Sequence, residues 1–252
     1  MEKIKYSSVK EIAGVEDLFW FDAIPSTNSY AVEQKIIPKR GVVVIVADTQ
    51  SAGKGQRGNA FFSEVMGGLW VSLVVRLTDI ADHFKVNRSL SVAIASVLDR
   101  VLKNKDVTIK WPNDIYCGSK KICGILLESV MLDPPVIVAG FGLNVNNKRN
   151  TFPSLLQNIV TSVYDECGVA YSVEELLEEI VKEFIKNLNV KNENVHDVYC
   201  SLLYKQGSRI EINNDSGVFV GVGIDGSLQL QKEDGLLVSH VSGRMRFYDD
   251  VL

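Results

Sequence analysis

The chain has 252 residues, of which 46% are hydrophobic and 23% are charged, and its formal net charge is −4. This composition is typical of a folded chain with one good core and a smaller appendage, and it excludes a largely disordered protein. The acidic balance also excludes a general nucleic-acid binder, so we expect no nucleic-acid partner.

The sequence carries no signal for export or for membrane insertion. No apolar run reaches the roughly 18 residues that a membrane span needs, and the N-terminus has no long apolar segment. Cys117, Cys123, Cys167 and Cys200 are irregularly spaced and include no C-x-x-C pair, which disfavours a disulfide framework and a zinc cluster. We therefore predict a cytoplasmic protein with reduced cysteines and no membrane partner.

The first predicted strand, residues 18–24, runs into a polar turn. Ser26, Thr27 and Asn28 follow Pro25, and three consecutive capping residues predict the N-terminus of a helix that extends to about residue 36. A helix cap is a sufficient explanation of these three residues when they are taken alone.

The second predicted strand, residues 42–47, leads into the loop DTQSAGKGQRGN, residues 48–59. Glycines let the backbone turn tightly and present N–H groups, and Lys54 and Arg57 add positive charge, so the loop suits an anion. A flexible surface loop with two solvated cations is the alternative. The glycines are Gly53, Gly55 and Gly58.

The glycine spacing matches the G-x-G-x-x-G pattern of dinucleotide-binding folds. However, only ten residues separate the loop from the next predicted strand, residues 69–77, and a parallel crossover needs about a dozen residues or more. We therefore predict an antiparallel return. A P-loop is excluded because Asp48 and Gly55 stand where that motif needs glycine and Ser or Thr.

The remaining pattern predicts two regions. A helix is expected at 87–103 from its apolar stripe, and three strands at 107–111, 121–130 and 135–145 are expected to be adjacent in one sheet. Ser172 and Glu175 form a capping box that opens a long helix, and a shorter helix is expected at 195–204. From Gly207 onwards, short strands with tight turns predict a small β-barrel, which places domains at 1–206 and 207–252.

Three polar segments stand at strand ends. They are KWPND at 110–114, KKICGILLE at 120–128 and GFGLNVNN at 140–147. Glycine inside an apolar strand indicates close approach by a ligand or a β-bulge. Each segment alone is also explained by a turn, a bulge or a loosened strand end.

Taken together and in this order, GKGQRG, KWPND, KKICGILLES and GFGLNVNN resemble the biotin–protein ligases. The Ser26–Thr27–Asn28 segment and the terminal barrel extend the resemblance over nearly the whole chain from Phe19. It implies an α+β fold with a mixed, mostly antiparallel sheet and packed helices, followed by a small SH3-like β-barrel. About 25 residues precede Ser26, which is too few for the DNA-binding domain of some members, so we expect the stand-alone form.

The resemblance implies a reaction of two steps. Biotin and ATP, with Mg²⁺, give biotinyl-5′-AMP, and a lysine of a biotin carboxyl carrier protein then takes the biotinyl group. The resemblance leaves monomer and homodimer open.

The resemblance also implies residue roles. Lys121 would bridge the biotin carboxylate and the phosphate, Arg57 and Lys54 would hold phosphate, and Asp114 would bind Mg²⁺ or order its corner near Lys110. The implied biotin-binding residues are Ser26, Thr27, Asn28, Gln50, Gly53, Lys121, Gly124, Leu126 and Gly140. The implied nucleotide-binding residues are Lys54, Gln56, Arg57, Gly58, Phe61, Asn113 and Asn144.

The loop departs from the family pattern at three positions. Lys54 and Gln56 stand where two arginines are usual, and Phe61 stands where tryptophan is usual. Lysine lacks the bidentate fork of arginine, so we expect Arg57 to carry more of the phosphate binding. The free loop is expected to be mobile and to become ordered over the adenylate.

Two other functions remain open at this point. The first is a lipoate ligase or octanoyltransferase, a relative that also acylates a carrier lysine; an octanoyltransferase would need a cysteine nucleophile, for which Cys123 is the candidate. Its apolar surroundings favour a buried, unreactive thiol. The second is a nucleotide-binding module without catalytic activity, which biotin-dependent exchange of pyrophosphate into ATP would exclude.

Overall fold

A seven-stranded sheet forms the centre of the computed structural model, which describes residues 6–248. Its strands are β1 (Val15–Ile24), β2 (Val42–Gln50), β3 (Leu69–Arg76), β4 (Val107–Lys110), β5 (Asp114–Cys117), β6 (Lys120–Val130) and β7 (Val136–Leu143). They lie in the order β1-β2-β3-β7-β6-β5-β4. Only the β1–β2 pair of this sheet, within residues 6–248, is parallel. The prediction of a mixed, mostly antiparallel sheet with packed helices is confirmed.

Helices cover the two faces of this sheet unequally. Val44 and Val46 of β2 pack into the main core with α3 and α5, whereas Val43 and Ile45 point to the other face and pack with Ala31 of α2. This alternation is the period of two that a strand imposes. We call the second side the α2 face, and only part of it is covered by α2. The helices are α1 (Ser7–Lys10), α2 (Thr27–Glu33), α3 (His83–Val101), α4 (Val163–Cys167), α5 (Val173–Asn189) and α6 (Asn192–Ser201).

The strands on either side of the glycine loop are antiparallel. Ala47 of β2 pairs with Trp70 of β3, and Val42 pairs with Val75. The predicted antiparallel return is therefore correct, and the parallel crossover of a dinucleotide-binding fold is absent at this point of the sheet.

The predicted adjacency of the strands near 107, 121 and 135 is only partly right. All three lie in the same sheet, and β6 pairs with β7, but β5 lies between β4 and β6. β5 has four residues and begins directly after the Trp111–Asn113 turn. Because β5 is so short, its sequence resembles the end of the preceding turn and was not recognised as a strand.

A second, five-stranded sheet follows α6. Its strands, in the order β11-β10-β9-β8-β12, include no pairing of β11 with β12 within residues 6–248, so the sheet is open there and a closed barrel is not confirmed. Leu228 and Phe219 share one hydrophobic cluster with Leu90 of α3. The core is therefore continuous across residue 206, and the domain boundary at that point stays a prediction. The strands are β8 (Arg209–Ile212), β9 (Asp215–Val222), β10 (Leu228–Gln231), β11 (Leu237–His240) and β12 (Arg246–Phe247).

The predicted helix ends are close to the observed ones. Ser172 accepts a hydrogen bond from the Glu175 backbone N–H at 3.2 Å, as the capping box requires. α3 begins at His83, four residues earlier than its apolar stripe indicated. Across the described part of the chain, none of the helices is both long and apolar enough to span a bilayer.

Candidate active site

A cavity of about 510 Å³ opens on the α2 face of the main sheet. Its walls come from the N-terminal end of α2, the glycine loop, the strands β4 to β7 and the C-terminal sheet. The polar residues and glycines that line it are Ser26, Thr27, Asn28, Gln50, Lys54, Gly55, Gln56, Arg57, Asn59, Lys110, Asn113, Asp114, Lys121, Gly124, Gly140, Gly142, Gly243 and Arg244.

One row of paired residues crosses the sheet beneath this cavity. Trp70 pairs with Gly142, and Gly142 pairs with Gly124. Gly124 in turn pairs with Asp114, and Asp114 pairs with Lys110. Directly paired residues in an antiparallel sheet present their side chains on the same face. Lys110 and Asp114 therefore stand on the same face as the two glycines.

The glycines of β7 let other side chains lie directly on the sheet backbone. A Cβ atom at Gly142 would lie 2.3 Å from the ring of Phe61, and one at Gly140 would lie 2.2 Å from Asn28 Oδ1. Neither position has room for a side chain. β7 therefore forms a floor for an aromatic ring from the glycine loop and an amide from α2.

The polar turn before α2 has two functions in the structure. Ser26 caps the helix by accepting from the Ser29 backbone N–H at 3.4 Å. The backbone N–H of Thr27 donates to Gln50 Oε1 at 2.8 Å, and Gln50 Nε2 donates to Ser63 Oγ at 3.1 Å. The capping explanation is thus correct for Ser26, while Thr27 and Gln50 form a buried polar end of the cavity.

Sequence reasoning missed Ser72 and Glu128 at this end. The Ser72 hydroxyl is fully buried and lies within hydrogen-bond distance of Thr27 Oγ1 and Asn28 Oδ1. Asn28 Nδ2 donates to Glu128 Oε2 at 2.8 Å. A single hydroxyl in the otherwise apolar run LWVSLVV was the signal that could have identified Ser72.

A β-bulge in β6 sets the direction of Lys121. Ile115 pairs with Cys123 and Tyr116 pairs with Lys121, so Ile122 is the extra residue. Ile122 and Cys123 both point into the main core, which turns Lys121 to the α2 face. Strict alternation would have placed Lys121 on the core side with Cys123.

Lys121 and Asp114 form an ion pair at the centre of the cavity. Lys121 Nζ lies 2.7 Å from Asp114 Oδ1 and 5.9 Å from the centre of the Phe61 ring. Both side chains are between a quarter and a third exposed. The lysine is therefore fixed by a carboxylate and an aromatic ring, yet remains accessible from the cavity.

Three parts of the molecule hold the turn that carries Asp114. Asn87 of α3 donates to the Pro112 carbonyl at 2.8 Å, and the indole N–H of Trp111 donates to the Gly226 carbonyl of the C-terminal sheet at 2.9 Å. Asn113 Nδ2 donates to the Ile125 carbonyl of β6. Asn113 thus serves to position this turn as well as lining the cavity.

Lys110 extends among aromatic rings from both sheets. Its ammonium lies 5.1 Å from the centre of the Tyr116 ring and 5.4 Å from that of Phe247. Tyr204 lies at 5.9 Å. Ring faces attract a cation, so these rings hold the ammonium of Lys110 at the edge of the cavity.

The glycine loop forms a small hairpin over the cavity. The Gly55 N–H donates to the Asn59 carbonyl at 2.7 Å, and the Phe61 N–H donates to the Gly53 carbonyl at 2.8 Å. The tip, Gln56–Gly58, is a short 3-10 turn in which Arg57 has a φ of 56°. Gly53 supports the base of the hairpin and Gly58 lies at its exposed tip, and neither lines the cavity.

The two cations of this hairpin have different surroundings. Lys54 Nζ lies 3.8 Å from Glu128 Oε1 of β6. Arg57 is exposed and forms no ion pair with the residues between Tyr6 and Tyr248. Arg57 is therefore the loop cation that an incoming anion meets without displacing a carboxylate.

A second cavity of about 240 Å³ lies on the other side of Phe61. Asn144 lines it, and its side-chain N–H donates to the Thr161 carbonyl at 2.9 Å. Cys123 also lines it but is only 1% exposed, and burial raises the pKa of its thiol. The expectation of a buried Cys123 is confirmed, and that it is unreactive stays a prediction.

The charge on the walls of the larger cavity opposes that of the whole chain. Within residues 6–248, five cationic side chains and one carboxylate line it, although the formal net charge of the chain is −4. No group of three or more His, Cys, Asp or Glu side chains in this range could hold a metal ion alone. The arrangement suits a multiply charged anion.

Most residues implied by the resemblance thus come together. The exceptions are Gly53 and Gly58, which shape the hairpin, and Asn144, which lines the smaller cavity. Those at the larger cavity are Ser26, Thr27, Asn28, Gln50, Lys54, Gln56, Arg57, Phe61, Lys110, Asn113, Asp114, Lys121, Gly124, Leu126 and Gly140.

Comparison with known proteins gives consistent results. Residues 20–144 match the model of the biotin/lipoate A/B protein ligase family. The biotin–[acetyl-CoA-carboxylase] ligase of Mycobacterium tuberculosis is 30% identical over 80% of this chain and 74% of that protein. The bifunctional ligase/repressor BirA of Bacillus spizizenii is 28% identical over 93% of this chain and 75% of that protein.

Solved structures with the same fold include the biotin protein ligase of Aquifex aeolicus in complex with biotin and ATP. It superposes with a TM-score of 0.78 at 23% identity, covering 92% of this chain and 98% of that one. The match of family model, sequence and fold leads to one conclusion. The chain belongs to the biotin/lipoate A/B protein ligase family.

Proposed function

We infer that this chain is a biotin–protein ligase, which activates biotin with ATP and transfers it to a carrier lysine through an amide bond. The observation that carries this inference is the Lys121–Asp114 ion pair. It lies in the wall of the cavity between the buried polar end at Thr27 and Gln50 and the other cations that line the cavity. The homologous ligases, at about 30% identity over most of the chain, support it.

We propose that biotin occupies the end of the larger cavity near α2. Small-molecule sites combine apolar walls with a few placed polar groups. The hydroxyl and amide groups of Ser26, Thr27, Asn28 and Gln50 would contact the ureido ring. Gly124, Leu126 and Gly140 would form its walls, and the carboxylate would point towards Lys121.

The negative charge of both reactants, biotin and ATP, explains why cations line the cavity. A carboxylate approaching a phosphate meets a repulsion of roughly 4 kcal/mol for unit charges at about 4 Å and an effective dielectric of about 20. Lys121 lies where both groups would meet, and Arg57 and Lys54 would contact the phosphate from the loop. Fixed cations that cancel this repulsion lower the barrier of the first step.

In that step, a biotin carboxylate oxygen forms a bond to the α-phosphorus, and the bond to the bridging oxygen breaks. The electron pair leaves with pyrophosphate. In the second step, the amine of a carrier lysine attacks the acyl carbon of biotinyl-5′-AMP, loses its proton, and AMP leaves. The loop hairpin would cover the reactive anhydride and exclude water.

Asp114 fits a role in holding Mg²⁺. Magnesium sites of this kind use one or two carboxylates together with substrate phosphates, and Asp114 is accessible in the cavity wall. When bound, Mg²⁺ would neutralise charge on the phosphate oxygens. The ion pair with Lys121 keeps this carboxylate aimed at the same region.

We propose that the adenosine part of the nucleotide extends past Phe61 into the smaller cavity. Asn144 and Phe61 both line that cavity, and its walls are largely apolar. Gln56, Gly58 and Asn113 would complete the nucleotide site from the loop and the turn after β4.

Several finer features stay predictions. These are a biotin carboxyl carrier protein as the acceptor, the SH3-like character of the C-terminal sheet with a boundary near residue 206, and a cytoplasmic location without a nucleic-acid partner.

Exchange of labelled pyrophosphate into ATP tests the proposed function. We expect exchange that depends on biotin, and loss of at least a hundredfold in Lys121→Ala. Labelled biotin should then appear on an added biotin carboxyl carrier protein. Exchange that responds to lipoate or octanoate, and not to biotin, would contradict the proposal.

A further inference from the structure

The C-terminal sheet contributes a short segment to the wall of the larger cavity. Gly243, Arg244 and Met245, which directly precede β12, all line it. The sequence leaves the role of this sheet open between binding ATP, binding the carrier and capping the main sheet. Its contribution therefore requires a separate explanation.

Three contacts fix the backbone of this segment. Asn213 Nδ2 donates to the Ser242 carbonyl at 2.6 Å. A Cβ atom at Gly243 would lie 2.5 Å from Ile212 Cγ1, so only glycine fits there. Met245 is buried in the main core. Arg244 thus stands between two anchored neighbours.

The segment that carries Arg244 runs to the Lys110 corner of the cavity. Phe247, three residues further along the same segment, places its ring centre 5.4 Å from Lys110 Nζ. Lys110 pairs across the strands with Asp114. Arg244 therefore lines the cavity on the segment that meets Lys110, whose strand partner is the carboxylate proposed to hold Mg²⁺.

No acidic side chain between Tyr6 and Tyr248 accounts for this arginine. Arg244 is exposed and forms no ion pair with any residue that the structure describes. Arg209, in the same sheet, does form one with Glu233. An arginine that lines a cavity with four other cations, and that has no carboxylate partner among the described residues, suits an anionic ligand.

The geometry of phosphoryl transfer indicates which anion Arg244 would bind. Attacking and leaving oxygens lie roughly in line on opposite sides of the reacting phosphorus. With biotin at the α2 end and its carboxylate at Lys121, the leaving group faces away from α2, towards Lys110 and Arg244. We propose that Arg244 binds the β- and γ-phosphates of ATP and stabilises the departing pyrophosphate.

This proposal rests on the proposed function and concerns one half of its first step. Negative charge grows on the bridging oxygen as its bond to the α-phosphorus breaks. A guanidinium that donates two hydrogen bonds to phosphate oxygens stabilises that charge. Transfer of biotin from biotinyl-5′-AMP to the carrier involves no pyrophosphate and should not need Arg244.

Arg244→Ala tests this, with Arg246→Ala as the matched control. Both side chains are exposed, lie two residues apart and carry the same charge, but Arg246 does not line the cavity. In Arg244→Ala we expect biotin-dependent exchange to fall about ten- to a hundredfold, as for a lost charge-assisted hydrogen bond. KM for ATP and the inhibition constant for pyrophosphate should both rise, with KM for biotin unchanged.

The second measurement is transfer from preformed biotinyl-5′-AMP to the carrier protein. We expect Arg244→Ala, Arg246→Ala and the unmodified chain to agree within about twofold, with Arg244→Lys partly restoring exchange. Equal exchange in the two alanine variants would overturn the proposal. So would a defect confined to transfer with a raised KM for the carrier, which would assign Arg244 to carrier docking. Absence of biotin-dependent exchange in the unmodified chain would instead reject the proposed function itself.

Discussion

Arg57 and Lys54 carry the same charge on the same hairpin, yet differ in what binding an anion requires of them. Lys54 must leave the vicinity of Glu128, which lies 3.8 Å away. Arg57 has no such competitor within residues 6–248 and can present a bidentate fork. The single guanidinium of this loop is therefore its main candidate for holding the adenylate.

We predict that Arg57→Ala weakens retention of biotinyl-5′-AMP by about ten- to a hundredfold, the effect of losing charge-assisted hydrogen bonds. Lys54→Ala should weaken it less, because part of its interaction with phosphate is offset by separation from Glu128. Dissociation of labelled biotinyl-5′-AMP after dilution measures both. Arg76→Ala, an exposed arginine at the end of β3, is the control. Unchanged retention in Arg57→Ala would count against this role.

Cys123 shows what a sequence can indicate at the scale of one residue. Its apolar neighbours and the following glycine predicted a buried thiol, and the thiol is 1% exposed with a raised pKa. A thiol that is not ionised is a poor nucleophile. The octanoyltransferase alternative, which needs a reactive cysteine, is thereby disfavoured.

At the scale of elements, β7 and the glycine loop depend on each other. The Phe61 ring lies where a Cβ atom of Gly142 would be, and it also meets Trp70 edge-on at 5.8 Å. Gly142 thus leaves a space on β7, and the Phe61 ring of the loop fills it.

We predict that Gly142→Ala lowers the free energy of unfolding by about 1–3 kcal/mol, because the overpacked ring must move. In the double variant Phe61→Ala/Gly142→Ala the methyl group has room, so the two changes should not add. Urea denaturation of the four proteins gives the coupling. Additive losses would show that the ring and the glycine do not depend on each other.

The sequence predicted the sheet better than it predicted the site. Long apolar runs such as β2, β3 and β7 are specified by their own residues, so their existence and the antiparallel return were predictable. β5 was not, because four residues after a proline carry too little pattern. Ser72 was missed because its role depends on Asn28 and Thr27, which are more than forty residues away.

At the scale of the whole molecule, the fully buried Arg88 of α3 joins three parts of the chain. Its guanidinium donates to the Ile224 carbonyl of the C-terminal sheet at 3.1 Å and to Asn192 of α6. It also lies 3.0 Å from His196 Nδ1. Because an arginine has no acceptor atoms, His196 accepts this hydrogen bond. Its Nδ1 therefore carries no proton, and the imidazole ring is neutral.

The neutral His196 predicts a pH dependence of stability. Burial, followed by the positive charge of Arg88, lowers the pKa of His196 in the folded protein. Above the ordinary histidine pKa of about 6.5, His196 is neutral in both the folded and the unfolded chain. Its titration then takes nothing from the free energy of unfolding. As the pH falls below that value, the unfolded chain gains a proton that the folded chain resists, so the free energy of unfolding decreases.

His196→Gln removes this titration. Between about pH 6.5 and pH 5, its free energy of unfolding should fall less steeply than that of the unmodified chain, while His83→Gln, at an exposed position, should follow the unmodified chain. Urea midpoints measured across this interval compare the three. Parallel curves for all three proteins would refute the assignment to His196.

The bulge in β6 separates the direction of Lys121 from the identity of the residue at position 122. Any apolar residue that fills the space of Ile122 would keep the core intact, and deletion of that one position would restore strict alternation with Lys121 still on the α2 face. Such a deletion would leave the proposed binding residues on their side of the sheet and would remove one apolar side chain from the main core. Among relatives of this chain, a gap of one residue at the bulge is therefore compatible with the site.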